Sequence, residues 1–198
     1  MKVIFLDIDG VLNYKNFKKV VCGFIFVDDE KVKLLKKIID RTEAKIVLSS
    51  SWRMDRFYES KREKPRDYNL YQRLVKKLKE YDLTIYSHTP ILTGGYRGKE
   101  ICQWIQDWQG KFIESFVILD DDNDMNEDQF FNFISVDGCY GISDRIVNLA
   151  IQILKNEKVI NPIRLNTELM FRWRLKCNGL TSNIETLLMD YNNKMLIK

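Results

Sequence analysis

Residues Val3-Ile4-Phe5-Leu6-Asp7-Ile8-Asp9-Gly10-Val11-Leu12 bring two carboxylates, one residue apart, to the end of an apolar strand. A buried strand has no use for charge. It can end in Asp-x-Asp-Gly where the acids hold a cation or attack a substrate at the carboxyl edge of an open α/β sheet, the edge at which such sheets bind ligands. Turns also favour Asp and Gly. The meaning of the pair therefore depends on what the other strands end in.

Apolar strands alternate with amphipathic stretches along the chain. Strands are expected at Lys2 to Asp7, Ala44 to Ser49, Leu83 to Tyr86, Ser115 to Leu119 and Phe131 to Val136. Helices are expected after an Asp28 or Asp29 cap, with the stripe Val32, Leu35, Ile38 and Ile39, then over Tyr68 to Tyr81, Arg97 to Trp108 and Ser143 to Asn156. Leu70, Leu74, Val75 and Leu78 form the apolar face of the second helix, and Ile101, Trp104 and Ile105 that of the third. Alternation of this kind implies an α/β fold with a doubly wound, mainly parallel sheet. All-apolar strands such as Ile46-Val47-Leu48 fit a sheet covered on both faces. Asn13 to Val27 reads as a small β flap, and Arg53 to Asp67, polar and basic, as a long loop. Beyond Pro162 the pattern weakens, and Ile184, Leu187, Leu188 and Tyr191 suggest one closing helix.

Four clusters carry chemistry. Asp7 and Asp9 form the first, with Gly10 allowing a tight turn and leaving space above the pair. Ser49-Ser50-Ser51-Trp52-Arg53 follows the second strand; its hydroxyls and free N–H groups suit an anion, and serine equally suits a helix cap. In Gly94-Gly95-Tyr96-Arg97-Gly98-Lys99-Glu100 two cations open a helix against its dipole; taken alone they read as two solvated side chains, and the mismatch with the dipole offers a second reading in which they face an anion outside the helix. Asp120-Asp121-Asp122-Asn123-Asp124 ends another apolar strand, either as an acidic surface loop or as oxygen ligands suited to a hard cation such as Mg²⁺.

Composition narrows the chemistry. The 198 residues allow one domain with a substantial core and a small appendage. No apolar run approaches the roughly 20 residues of a membrane span, and the chain starts on a core-like strand rather than a signal segment. Cys22, Cys102, Cys139 and Cys177 are scattered, which argues against a disulfide framework or a zinc site and fits a reducing cytoplasm. His88 is the sole histidine, so acid–base work falls to carboxylates, lysine or tyrosine. The net charge of +4 resides in the tail: from Lys158 onward seven Lys/Arg face three Asp/Glu. We expect a catalytic domain over 1–157 and a basic extension over 158–198, and the extension reads either as a solvated face or as a polyanion-attracting patch. The patch would centre on Arg172, Arg174 and Lys176, helped by Lys61 to Arg66.

Taken in order, these clusters resemble the haloacid dehalogenase-like (HAD) hydrolase superfamily, over about residues 1 to 155. More narrowly, Asp9-Gly10-Val11-Leu12-Asn13, Lys45 to Arg53, Thr89-Pro90, Arg97-x-x-Glu100-Ile101 and Leu119-Asp120-Asp121 are similar to HAD domains found in or beside RNA-repair proteins. The resemblance implies a Rossmann-like core and Mg²⁺-dependent phosphatase activity through an aspartyl-phosphate. Asp7 would be the nucleophile and Asp9 the acid–base group. The metal would be held by Asp7, Asp121 and the Asp9 backbone carbonyl, with Asp120 a second candidate ligand. Ser49 or Ser50 would bond the phosphoryl group, Arg97 or Lys99 would neutralise it, and Gly10 and Arg53 would line the substrate side.

The segments between Asp7 and Ser49, and between Leu83 and Arg97, are too short for a large cap domain. An open site admits a large substrate such as an oligonucleotide end. Two other readings use the same motifs: a non-catalytic module that binds phosphorylated partners, which would not need the second acid Asp9, and a phosphotransferase acting on an acceptor other than water.

Overall fold

The structure is a computed structural model that describes residues 1–21, 24–60, 69–110 and 112–156. The basic extension, its closing helix and the Lys61 to Arg66 segment lie outside the described residues.

Five strands form one all-parallel sheet: β1 (Lys2–Leu6), β4 (Lys45–Leu48), β5 (Ile85–His88), β6 (Ser115–Asp120) and β7 (Phe133–Ser135). Their order is β5-β4-β1-β6-β7. The chain steps from β1 outward through β4 to β5, then crosses back to β6 on the other side of β1. That reversal makes the carboxyl end of β1 the topological switch point, where α/β sheets open a crevice. A separate antiparallel ribbon, β2 (Val20–Val21) with β3 (Phe24–Ile25), forms the expected flap between β1 and the first helix.

Four helices cover the sheet: α1 (Asp29–Thr42), α2 (Leu70–Lys79), α3 (Arg97–Asp107) and α4 (Asp144–Leu154). Alternation along β1 sends Val3 and Phe5 to one face, where they pack with Val47, Ile118, Phe133 and the α3 residues Ile101 and Trp104. The Phe5 ring meets Trp104 and Phe116 edge-on, with centroids 5.3 and 5.7 Å away. Ile4 and Leu6 point the other way and are equally buried. Right-handed crossovers put α1 and α2 on that side, where Lys77 of α2 pairs with Asp29 of α1 at 2.9 Å.

Most elements sit within two residues of their expected bounds. Asp28 is the α1 cap, accepting from the Glu30 N–H at 3.0 Å. β5 begins at Ile85 rather than Leu83, because Asp82 takes a positive φ of 57° and the Leu83 N–H returns to the Leu78 carbonyl to close α2. Val75, expected on the apolar face of α2, is exposed. The stretch expected as a loop from Arg53 begins inside a 3-10 helix, Ser51–Ser60, anchored by the buried Trp52 and Arg53. Among the described residues no helix is long and apolar enough to cross a membrane.

Candidate active site

Parallel pairing brings the strand tips to one level. Leu6 of β1 is in register with both Leu48 of β4 and Leu119 of β6. The ladders run one step further, since Asp7 N–H donates to the Leu119 carbonyl and Ser49 N–H to the Leu6 carbonyl, each at 2.9 Å. Asp7, Asp120 and Ser49 are therefore neighbours, although more than forty residues separate each from the next along the chain.

Asp7, Asp120 and Asp121 each offer a carboxylate oxygen, and the three oxygens lie within 4.8 Å of one another. Asp7 and Asp120 are buried. Asp121 sits in a cradle of two glycines. A β-carbon on Gly10 would come within 2.2 Å of its Oδ2, and one on Gly138 within 2.5 Å. Gly10 also holds a φ of +70°. Its glycine identity thus serves both the turn and the close approach of the carboxylate.

Such crowding is electrostatically costly. Burial first, then the Asp120 charge, pushes the Asp7 carboxyl up to about 8, against the pull of Arg97. Burial pushes Asp120 up to about 6, with Arg97 and the Asp122 N–H acting the other way. Burial and the neighbouring Asp122 raise Asp121 as well.

Arg97 supplies part of the counter-charge. Its Nη2 donates to Asp7 Oδ1 at 3.2 Å, and its Nε lies 3.0 Å from Asp120 Oδ2, close enough for an ion pair but off the hydrogen-bond line. Burial works to lower the pKa of Arg97, but the charges of Asp7, Asp120, Asp124 and Glu100 prevail and raise it. Asp120 Oδ2 is left buried without a hydrogen bond among the described residues. Three clustered carboxylates, one with an unbonded buried oxygen and all resisting ionisation, fit a small hard dication such as Mg²⁺.

Asp9 stands apart from this cluster. It is exposed, and each of its oxygens accepts one hydrogen bond: Oδ1 from Asn13 Nδ2 and Oδ2 from the Trp52 indole N–H, both at 2.8 Å. Asn13 also donates to the Ile25 carbonyl of the flap, and the Trp52 ring stacks on Phe26 with centroids 6.0 Å apart. The flap thus fixes the second acid beside the first without burying it.

The remaining predicted residues divide. The Ser50 hydroxyl accepts from the Trp52 N–H at 3.4 Å and works to lower the pKa of Asp7. The Ser49 hydroxyl is buried with no partner among the described residues. Lys99 is exposed, its ammonium 5.2 Å from the centroid of the Tyr96 ring, so of the two cations at the start of α3 it is Arg97 that reaches the carboxylates. Arg53, expected to line the substrate side, is 1% exposed and has its five N–H groups directed inward. They reach the carbonyls of Ser49, Ser50, Thr89 and Pro90 and the carboxylate of Glu100. Five fixed donors suit arginine as a brace tying the tips of β4 and β5 to α3.

Two contributors carry no separate signal in the sequence. Gly138 lies in an unremarkable loop after β7, and only its approach to Asp121 gives it a role. Asp124, one of five polar residues in a row, turns from the acidic cluster to accept from the Arg97 N–H at 2.8 Å, while its carbonyl accepts from the Gly98 N–H at 3.1 Å. It caps α3 from a distance and holds Arg97 against the carboxylates. An acid placed to cap an earlier helix could be sought by asking which backbone N–H groups of a Gly-rich helix start lack a local acceptor.

With the geometry in view, comparison with known families is decisive. The profile of the HAD domain in Swiss Army Knife RNA repair proteins matches residues 3–147. The chain belongs to this family. Comparison with curated proteins and with solved structures returns no match. The matched span takes in the parallel sheet apart from Lys2 of β1, and the Asp7, Asp120 and Asp121 cluster, with Asp7 and Asp120 buried, fits a HAD active site.

Two expectations follow from this geometry. The unfolded chain releases carboxyl protons near pH 4, whereas the folded metal-free site holds its Asp7 proton to about pH 8. Stability of the metal-free protein should therefore fall as pH rises across that window, and a bound dication should offset the loss. The Tm increase produced by Mg²⁺ is expected to be larger at pH 8 than at pH 5.5; an equal or reversed increase contradicts this. Secondly, Glu100→Ala leaves the buried Arg53 charge unpaired and should cost about 3–5 kcal/mol in urea unfolding. A loss under about 1 kcal/mol would show that the brace is dispensable.

Proposed function

We propose that this HAD domain is a Mg²⁺-dependent phosphomonoesterase that works through an aspartyl-phosphate on Asp7, with phosphorylated nucleic-acid ends as its substrates. The observation that carries the reading is the pairing of a buried carboxylate, Asp7, held among cation-seeking groups, with an exposed carboxylate two residues away whose two oxygens are oriented separately. A binding module would need the first but not the second.

Asp7, Asp120, Asp121 and the Asp9 carbonyl would hold the metal, which when bound screens the charge between a carboxylate and a phosphate dianion. Asp7 must react as the carboxylate. Arg97 and the Ser50 hydroxyl both favour that form. In the first half-reaction an Asp7 oxygen forms a bond to phosphorus as the bond to the leaving oxygen breaks, and the Asp9 carboxyl gives its proton to that oxygen. In the second, Asp9 takes a proton from water as the water oxygen bonds to phosphorus and the Asp7–phosphorus bond breaks. Inorganic phosphate leaves and both side chains return to their starting states. Arg97 is placed to neutralise charge on the transferring group, its planar fork already spanning Asp7 and Asp120. The residual solvent access expected of a capless site favours substrates that cover it themselves.

The RNA-repair context of the family supports a nucleic-acid end as substrate. A panel of 5′- and 3′-phosphorylated oligonucleotides, mononucleotides and sugar phosphates, with and without Mg²⁺, tests the choice, and the same panel with added alcohol acceptors separates hydrolysis from transfer. In this account Asp7→Asn removes turnover of p-nitrophenyl phosphate while the circular dichroism spectrum is retained. Asp9→Asn lowers it by roughly a hundredfold or more, the range typical of a lost acid–base group. Wild-type turnover by the Asp7 variant in the presence of Mg²⁺ would refute the nucleophile assignment.

A further inference from the structure

The function proposed above uses Arg97 but leaves its neighbours Tyr96 and Lys99 without a task. They differ from the residues around them. Arg97, Gly98, Glu100 and Ile101 face inward at the start of α3, with only Arg97 partly accessible. Tyr96 and Lys99, three residues apart, share the outward side of the same turn. Tyr96 is 57% exposed. Among the described residues its hydroxyl has no hydrogen-bond partner, and Lys99 has no carboxylate within ion-pair distance. The Lys99 ammonium lies instead over the Tyr96 ring, 5.2 Å from its centroid. A cation in the first turn works against the helix dipole, so no intrinsic gain of the helix explains it. The approach to the ring is open: a β-carbon on Gly95 would meet nothing within 4 Å, and one on Gly94 only the Tyr96 ring, at 3.9 Å.

Position turns this pair into more than surface decoration. Tyr96 is bonded directly to the residue whose guanidinium touches Asp7. The α3 start is also clamped to the tip of β6 through Asp124. Among the described residues Phe112, at 85%, is the most exposed aromatic and offers a contrast: its carbonyl accepts from the Met1 amino group, at the amino end of the central strand.

We propose that Tyr96 and Lys99 form the subsite for the nucleotide next to the scissile phosphate, the ring stacking on its base and the ammonium meeting the following backbone phosphate. An aromatic face beside a free cation is how single strands are held without sequence preference. This rests on reading the Asp7 pocket as the phosphoryl site, and it makes Tyr96 and Lys99 specificity residues rather than catalytic ones.

Binding of short phosphorylated single strands to the full-length Asp7→Asn protein tests it, with the terminal nucleotide either normal or abasic. The normal strand is expected to bind roughly five- to a hundredfold more tightly. Tyr96→Ala should erase that preference and Tyr96→Phe should keep it. Lys99→Gln should reduce the slope of log Kd against log salt by roughly 0.7, the value of one phosphate contact on a single strand. Equal binding of normal and abasic strands, or a preference that survives Tyr96→Ala, overturns the proposal. Loss of wild-type turnover on every phosphomonoester would instead remove the phosphatase reading and leave this binding result to be judged separately.

Discussion

The molecule is organised around a repulsion. Three carboxylates from two strand tips occupy one small volume, two of them buried, and both burial and their mutual charge resist ionisation. A sequence would not retain such an arrangement for stability, because each charge is costly to bury unless something of opposite sign completes it. Arg97 supplies one positive charge. A dication with oxygen ligands would supply the rest, and the remaining features of the fold make sense as ways of holding the acids in place for it.

Those features act at different ranges. Parallel pairing of β1 with β4 and β6 sets the level of the tips to within a residue. Gly10 and Gly138 remove the side chains that would displace Asp121. The buried Arg53 joins the ends of β4 and β5 to α3 through four carbonyls and Glu100, and Asp124 ties α3 to the end of β6. Asp9 is held by a separate system, Asn13 and Trp52, that reaches the flap. The two acids of one short motif are thereby given opposite environments. One is dry and charge-paired, the other wet and hydrogen-bonded, the division that acid–base and nucleophilic roles require.

Much of this is legible in the sequence. Strands covered on both faces are apolar throughout, so their ends are marked sharply when Asp7, Ser49 or Asp120 follows. The order of those ends is enough to suggest a switch-point site. Roles that depend on distance are not legible. Arg53 and Arg97 are both arginines near strand tips or helix starts, yet one is a buried brace and the other contacts the acids. The difference lies in Glu100 and in four carbonyls that only the folded chain brings together. Arg97 and Lys99 are equivalent on paper. Helical geometry separates them, since two residues along a helix is a rotation of more than half a turn. Gly138 is invisible because its importance resides in what it lacks beside Asp121.

The central claim is that the strand tips converge to bind one divalent ion through Asp7, Asp120 and Asp121. Titration of the metal-free protein with Mn²⁺, followed by electron paramagnetic resonance, tests it most directly. The account predicts one site per chain in the wild type, competed by Mg²⁺, and weakened at least tenfold by Asp121→Asn with the fold retained. Unchanged Mn²⁺ affinity in that variant, or no saturable site in the folded wild type, would contradict it.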